Sequence, residues 1–165
     1  MSQPVRPAEP WERWTALLLF CLVLVLALIT QANVGFEWAE DDYLDHLDEL
    51  RLWLGHLFTL GFRTTVDQLT ADTWDSSRYL NPHPPLFKWV ALLSRQLFPA
   101  LEFPAAERLP GAAWFAGCVA AVFVSVARRR GAVTGAVAAL FLVTCPRVLA
   151  HAHFTTPDMW LMATW

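Results

Sequence analysis

A chain of 165 residues is long enough for one small domain. A hydrophobic content of 56%, nine tryptophans and a mean hydropathy of +0.37 suit a membrane protein better than a small soluble one. The net charge is −3 with no basic stripe, which argues against a nucleic-acid partner. Cys21, Cys118 and Cys145 each lie in an apolar run without a CxxC neighbour, so they read as packing residues.

In chain order, residues 1–13 carry Arg6 and Arg13 and read as a cytoplasmic tail under the positive-inside rule. Residues 14–36 are uncharged, and a transmembrane helix is expected over 14–32. A cleaved signal peptide is the alternative. Its apolar core is usually shorter, and Gln31-Ala32-Asn33 is a poor cleavage site, so an uncleaved span is favoured.

A large outer-face loop is expected over residues 33–107. Between Glu37 and Leu80 it holds ten acids against three arginines. Within it, 43–60 reads as an amphipathic helix. Leu47, Leu50, Leu54 and Leu57 recur at helical spacing, and Asp41, Asp45, Asp48 and Glu49 occupy the other face. That pattern suits a helix lying on a membrane surface. Residues 61–82 show no period and read as loop. The stretch 86–99 is apolar but short, and it holds Lys88 and Arg95.

Parity decides its reading. Residues 109–127 are uncharged and end in Arg128-Arg129-Arg130, which belong on the cytoplasmic side. A span over 108–127 therefore runs inward, 128–130 form a cytoplasmic loop, and a span over 131–150 runs outward. The count works only if 86–99 is a juxtamembrane helix and does not cross. Residues 151–158 are then a further outer loop. The segment 159–165 begins another apolar helix cut short, so the chain is expected to be an N-terminal fragment of a longer protein.

Four groups of residues can carry chemistry. Glu40, Asp41 and Asp42 lie just past the first span, where a carboxylate can serve as a general base or a metal ligand; acids in a first helical turn also simply favour the helix dipole. His83-Pro84-Pro85-Leu86-Phe87-Lys88 sets two prolines at a helix start and contains the only lysine of the chain. Lys88 is a candidate phosphate partner or an interfacial anchor. Arg108 can pair with a carboxylate or an anionic head group. His151 and His153, with Asp158, form a weak metal candidate, and Asp158 at the edge of hydrocarbon is a candidate second acid.

In this order the set resembles the N-terminal part of the GT-C membrane glycosyltransferases, of the dolichyl-phosphate-mannose-protein mannosyltransferase type (glycosyltransferase family 39, with the aminoarabinose lipid A transferases). The resemblance rests on Glu40 to Tyr43, the string His83 to Lys88, Arg108-Leu109-Pro110 leading to Arg128–Arg130, and Thr155 to Met159. It implies an all-α integral membrane protein whose large first outer loop carries amphipathic juxtamembrane helices. It also implies transfer of a hexosyl or pentosyl group from a polyprenyl-phosphate carrier to an acceptor hydroxyl, on protein, lipid or glycan, with inversion. A loop carboxylate would be the base: Asp41 by preference, with Asp42 and Glu40 behind it. His83, Lys88 and Arg108 would hold the carrier phosphate. The expected location is a bacterial inner membrane, multi-pass, with the active face periplasmic, and the fragment alone is expected to be inactive. No cofactor is required by this reading, and assistance by a divalent metal stays open.

The acidic motif departs from the family's usual Asp-Glu pair several residues before an aromatic, since Glu40-Asp41-Asp42 directly precede Tyr43. The alternatives are a non-enzymatic membrane scaffold whose acidic outer loop binds a partner, and, more weakly, a metal-dependent hydrolase using His83, His151 and His153.

Overall fold

A computed structural model describes residues 6–35, 38–62 and 86–160, with the side chains of Trp38, Ala39, Asp42 and His46 outside that description. The loop expected at 61–82 lies outside it beyond Phe62, as do His83, Pro84 and Pro85 and the last five residues of the segment 159–165.

Among the described residues there are six helices and no strand: α1 (Pro10–Gln31), α2 (Trp38–Leu60), α3 (Leu86–Leu97), α4 (Ala105–Arg130), α5 (Ala132–Thr144) and α6 (Pro146–His151). They divide into two compact units. The first comprises Met1–Val34, Gly111–His153 and Asp158–Trp165; the second comprises Gly35–Pro110 and Phe154–Pro157.

In the first unit, α1 and α4 are long and apolar enough to cross a membrane. At about 1.5 Å per residue, their 22 and 26 residues cover roughly 33 and 39 Å. Helix α1 starts on Pro10, whose missing N–H costs nothing in a first turn. The Glu12 carboxylate reaches back to accept the Glu9 N–H at 2.9 Å and also takes Arg6 Nη1 at 3.1 Å. Arg128 Nε, near the far end of α4, donates to the Arg6 carbonyl at 2.6 Å.

The interior of this unit is built from Val23, Ala27, Phe115, Val119, Phe123 and Ala139 with their neighbours. Leu18, Leu22 and Ile29 of α1 and Val133, Val137 and Phe141 of α5 are exposed. Such apolar outer faces suit hydrocarbon rather than water. Helices α4 and α5 come very close: a Cβ on Gly135 would lie 2.8 Å from the Phe123 carbonyl oxygen and 3.0 Å from Ala127 Cβ. Small residues are what allow this approach.

Within the stretch 131–150 the chain forms two helices. Thr144 ends α5, Cys145 takes an extended conformation (φ −69°, ψ 110°), and Pro146 opens α6. A proline disfavours the helical region for the residue before it, which explains the break.

In the second unit, α2 and α3 pack through Leu44, Leu47 and Leu50 against Ala91 and Leu92, with Leu54 and Trp89 at the edge. Leu47 and Leu50 of the α2 stripe, and Leu54 in part, are thus covered by α3, whereas Leu57 lies outside that cluster. Trp53 and Trp89 meet edge-on at 6.1 Å between ring centroids. Pro110 sits inside α4 and leaves the Ala106 carbonyl without its usual donor. Ser94 of α3 supplies one, its hydroxyl donating to that oxygen at 2.6 Å. One serine thereby both repairs the proline's defect and ties α3 to the start of α4.

Candidate functional site

The second unit holds Glu40, Asp41, Lys88 and Arg108, and it pairs Glu40 directly with Arg108. Helix α2 turns about 100° per residue, so neighbours along it face different ways. Glu40 is fully buried, whereas Asp41 is exposed. The Glu40 carboxylate receives Arg108 in fork-to-fork fashion, from Nε at 2.9 Å and from Nη2 at 2.6 Å. Its Oε1 also accepts the Thr155 backbone N–H at 2.8 Å. Arg108 is itself 2% exposed, donates to the Gly35 carbonyl at 3.1 Å and lies 5.5 Å from the Phe154 ring centroid.

A carboxylate so engaged has little hydrogen-bonding capacity left for a substrate. What it does is lock the start of α2 to the start of α4 and to residues 154–157. Buried bidentate pairs of this kind fix geometry strongly because each charge needs the other. Beside it, the hydroxyls of Thr155 and Thr156 are buried with no hydrogen-bond partner among the described residues.

Lys88 lies on the first turn of α3 and is 2% exposed. Its Nζ is 5.6 Å from the ring centroids of both Tyr43 and Phe87, which meet edge-on at 5.2 Å. Both cation–ring distances fall inside the attractive range. Burial pushes the Lys88 pKa down to about 8, and the Glu49 carboxylate opposes that shift. At neutral pH the ammonium is still mostly charged, in surroundings where an anion would feel it more strongly than in water.

On the other side of α3, Arg95 links two acids. Its Nη1 is 3.0 Å from Asp48 of α2, and its Nε is 3.3 Å from Glu107 of α4. No sequence pattern signals this link, nor the placing of Gly35, Phe154 and the Thr155 amide around Glu40 and Arg108. Those contacts join residues far apart in sequence and leave no periodic signal.

The remaining candidates belong to the first unit. Asp158 is exposed and pairs with His151 Nδ1 at 3.3 Å. Both ring nitrogens of His153 are taken: Nδ1 faces the Leu149 carbonyl, and Nε2 is 2.6 Å from the Thr30 hydroxyl. A carbonyl only accepts, so Nδ1 carries a proton toward Leu149, and Nε2 is engaged by the Thr30 hydroxyl, which itself donates to the Leu26 carbonyl at 2.7 Å. That leaves His153 no free nitrogen for a metal shared with His151. Among the described residues no group of three His, Cys, Asp or Glu side chains converges. His83 and the Asp42 side chain lie outside the described residues.

The sequence model of the family described as dolichyl-phosphate-mannose-protein mannosyltransferase matches residues 82–165. The chain belongs to this family. The match takes in His83, Lys88, Arg108 and the segment from His151 to Asp158, and it leaves the acids of α2 outside. No curated protein and no solved structure matches the chain. Membership of the mannosyltransferase family makes this a glycosyltransferase of the mannosyltransferase type. The two long apolar helices agree with a membrane protein.

Proposed function

We propose that the protein moves a sugar from a polyprenyl-phosphate carrier to an acceptor hydroxyl on the outer face of a membrane, with inversion at the anomeric carbon. The observation that carries this reading is the buried Glu40–Arg108 pair, with N–O distances of 2.9 and 2.6 Å. It fastens the acidic start of α2 to the family-matched part of the chain, in the same unit as Lys88.

Each group then has a distinct part. Asp41, exposed next to Glu40, is the general base that takes the proton of the acceptor hydroxyl. The acceptor oxygen attacks the anomeric carbon from the face opposite the carrier, and the bond to the carrier phosphate breaks. Lys88, with His83 nearby in sequence, stabilises the negative charge that collects on the departing phosphate. Arg108 is a positioning residue, committed to Glu40 rather than to the phosphate. The Thr155 and Thr156 hydroxyls offer hydrogen bonds to the sugar. A loop carboxylate and a cation on one outer surface meet the needs of a lipid-borne donor, whose phosphate lies at the interface.

The test is transfer of radiolabelled mannose from a polyprenyl phosphate by membranes containing the protein expressed from its natural reading frame. Asp41→Asn should lower turnover by about 10²–10⁴-fold, the usual contribution of a general base. Turnover within a factor of two of the parent would remove Asp41 from the mechanism.

A further inference from the structure

A cleft of about 310 Å³ opens in the second unit, on the face of α3 that carries Arg95. Arg51 of α2, Arg95 and Gln96 of α3, Phe103 of the α3–α4 connection and Glu107 of α4 line it, with Leu101 among the apolar residues. Lys88, Glu40 and Asp41 do not line it, so it is separate from the reacting groups above.

Three observations bear on what fits there. Glu107 is 2% exposed; its Oε1 is 3.3 Å from Arg95 Nε, and its Oε2 has no hydrogen-bond partner among the described residues. A buried carboxylate oxygen without a donor is costly, and a donor from a ligand would remove that cost. Next, the charge nearly cancels. Arg51 and Arg95 bring two positive charges, while Glu107 and Asp48, the second partner of Arg95, bring two negative ones. This balance favours neither a phosphate nor a basic peptide. It offers donors from Arg51, both donors and an acceptor from Gln96, and an acceptor from Glu107. Phe103, 58% exposed, adds an apolar wall.

Neutral, rich in hydroxyls, with one apolar face: that is the chemistry of a pyranose ring. We propose that this cleft holds a sugar unit of a glycan, as a site that binds without reacting. Its volume is at the small end of the roughly 300–1,000 Å³ range of ligand pockets, which suits a single ring. Glu107 Oε2 accepts a ring hydroxyl, Arg51 and Gln96 hold the neighbouring oxygens, and Phe103 covers the C–H face. The site goes beyond the transfer reading, and its test uses no donor, so either can fail without the other.

Saturation-transfer NMR on the detergent-solubilised chain tests it, with methyl α-mannoside as probe and inorganic phosphate as competitor. The ring protons of the mannoside should be saturated, and excess phosphate should leave the signal in place. Arg51→Ala and Gln96→Ala, both at exposed positions, should each reduce the signal by about fivefold, in line with the loss of one hydrogen bond of about 1 kcal/mol. Phe103→Ala should do likewise. Absence of saturation in the parent protein overturns the proposal. So does displacement of the mannoside by phosphate, or a signal that all three variants leave unchanged.

Discussion

Removing Arg108 is the most direct challenge to the geometry. In Arg108→Ala, Glu40 stays fully buried and loses two of the three hydrogen bonds its carboxylate receives, those of 2.9 and 2.6 Å, keeping only the 2.8 Å bond from the Thr155 amide. Hydrogen bonds to charged groups are worth about 1.5–3 kcal/mol each. Breaking a buried ion pair from one side costs about 3–5 kcal/mol, because the other charge is stranded. We therefore expect Arg108→Ala to destabilise the second unit by about 3–5 kcal/mol. Arg108→Lys should cost less, since a point charge still neutralises Glu40 but cannot span both oxygens. Combining Arg108→Met with Glu40→Met should recover more than half of the loss, because no buried charge then remains. The assay is pulse proteolysis in detergent across a urea series, following cleavage between residues 35 and 110. A double-mutant coupling energy below about 0.5 kcal/mol would show that the two charges do not depend on each other, because contacting charges at these distances couple more strongly than that.

Further outcomes follow from other contacts. Lys88 is charged below its pKa of about 8 and neutral above it; donor binding should therefore weaken as pH rises through about 8. Lys88→Arg should carry the alkaline limb upward, as read from the pH profile of transfer, and a limb that stays put would take Lys88 out of the phosphate site. The same depressed pKa means that the unfolded chain holds this proton longer, so the Lys88 contribution to stability rises between about pH 8 and 10.5. Ser94→Ala should cost about 1–3 kcal/mol by leaving the Ala106 carbonyl buried without a donor. Adding Pro110→Ala should restore most of it, and equal urea midpoints for the single and double variants would dispose of that account. Gly135→Ala would gain up to about 1 kcal/mol in helix propensity. It sets a methyl against the Phe123 carbonyl at 2.8 Å, and we expect the about 1–3 kcal/mol of overpacking to win. A rise in thermal midpoint would show that α4 and α5 can separate.

The helices were legible in the sequence wherever one physical rule dominated. Charge-free runs marked α1 and α4, and the spacing of Leu47, Leu50 and Leu54 marked α2. What covers those leucines was not legible, because period alone does not separate a lipid-facing stripe from one packed on another helix. The break at Cys145 was available from Pro146 but was outweighed by the unbroken apolar character around it. For the site, charge at helix starts drew attention to Glu40 and Arg108. That they face each other across 68 positions could not be read, since pairing at such separation is decided by tertiary packing. Ser94 was invisible for the same reason: an unremarkable serine gains a role only once Pro110 leaves a carbonyl beside it.

The reach of Glu40 also sets an order of events. A ribosome delivers the chain from its N-terminus, and the partners of this carboxylate arrive 68 and 115 residues later, as Arg108 and then the Thr155 amide. At a synthesis rate of about 5–20 residues per second, Glu40 waits on the order of ten seconds for its last donor. During that interval α2 carries an unmatched acid on the side it will finally bury. The latch is complete only once the rest of α4 and all of α5, which separate Arg108 from Thr155, have been synthesised. Assembly of this face is thereby timed by the arrival of distant sequence, and a nascent chain halted before residue 108 has no means of completing it.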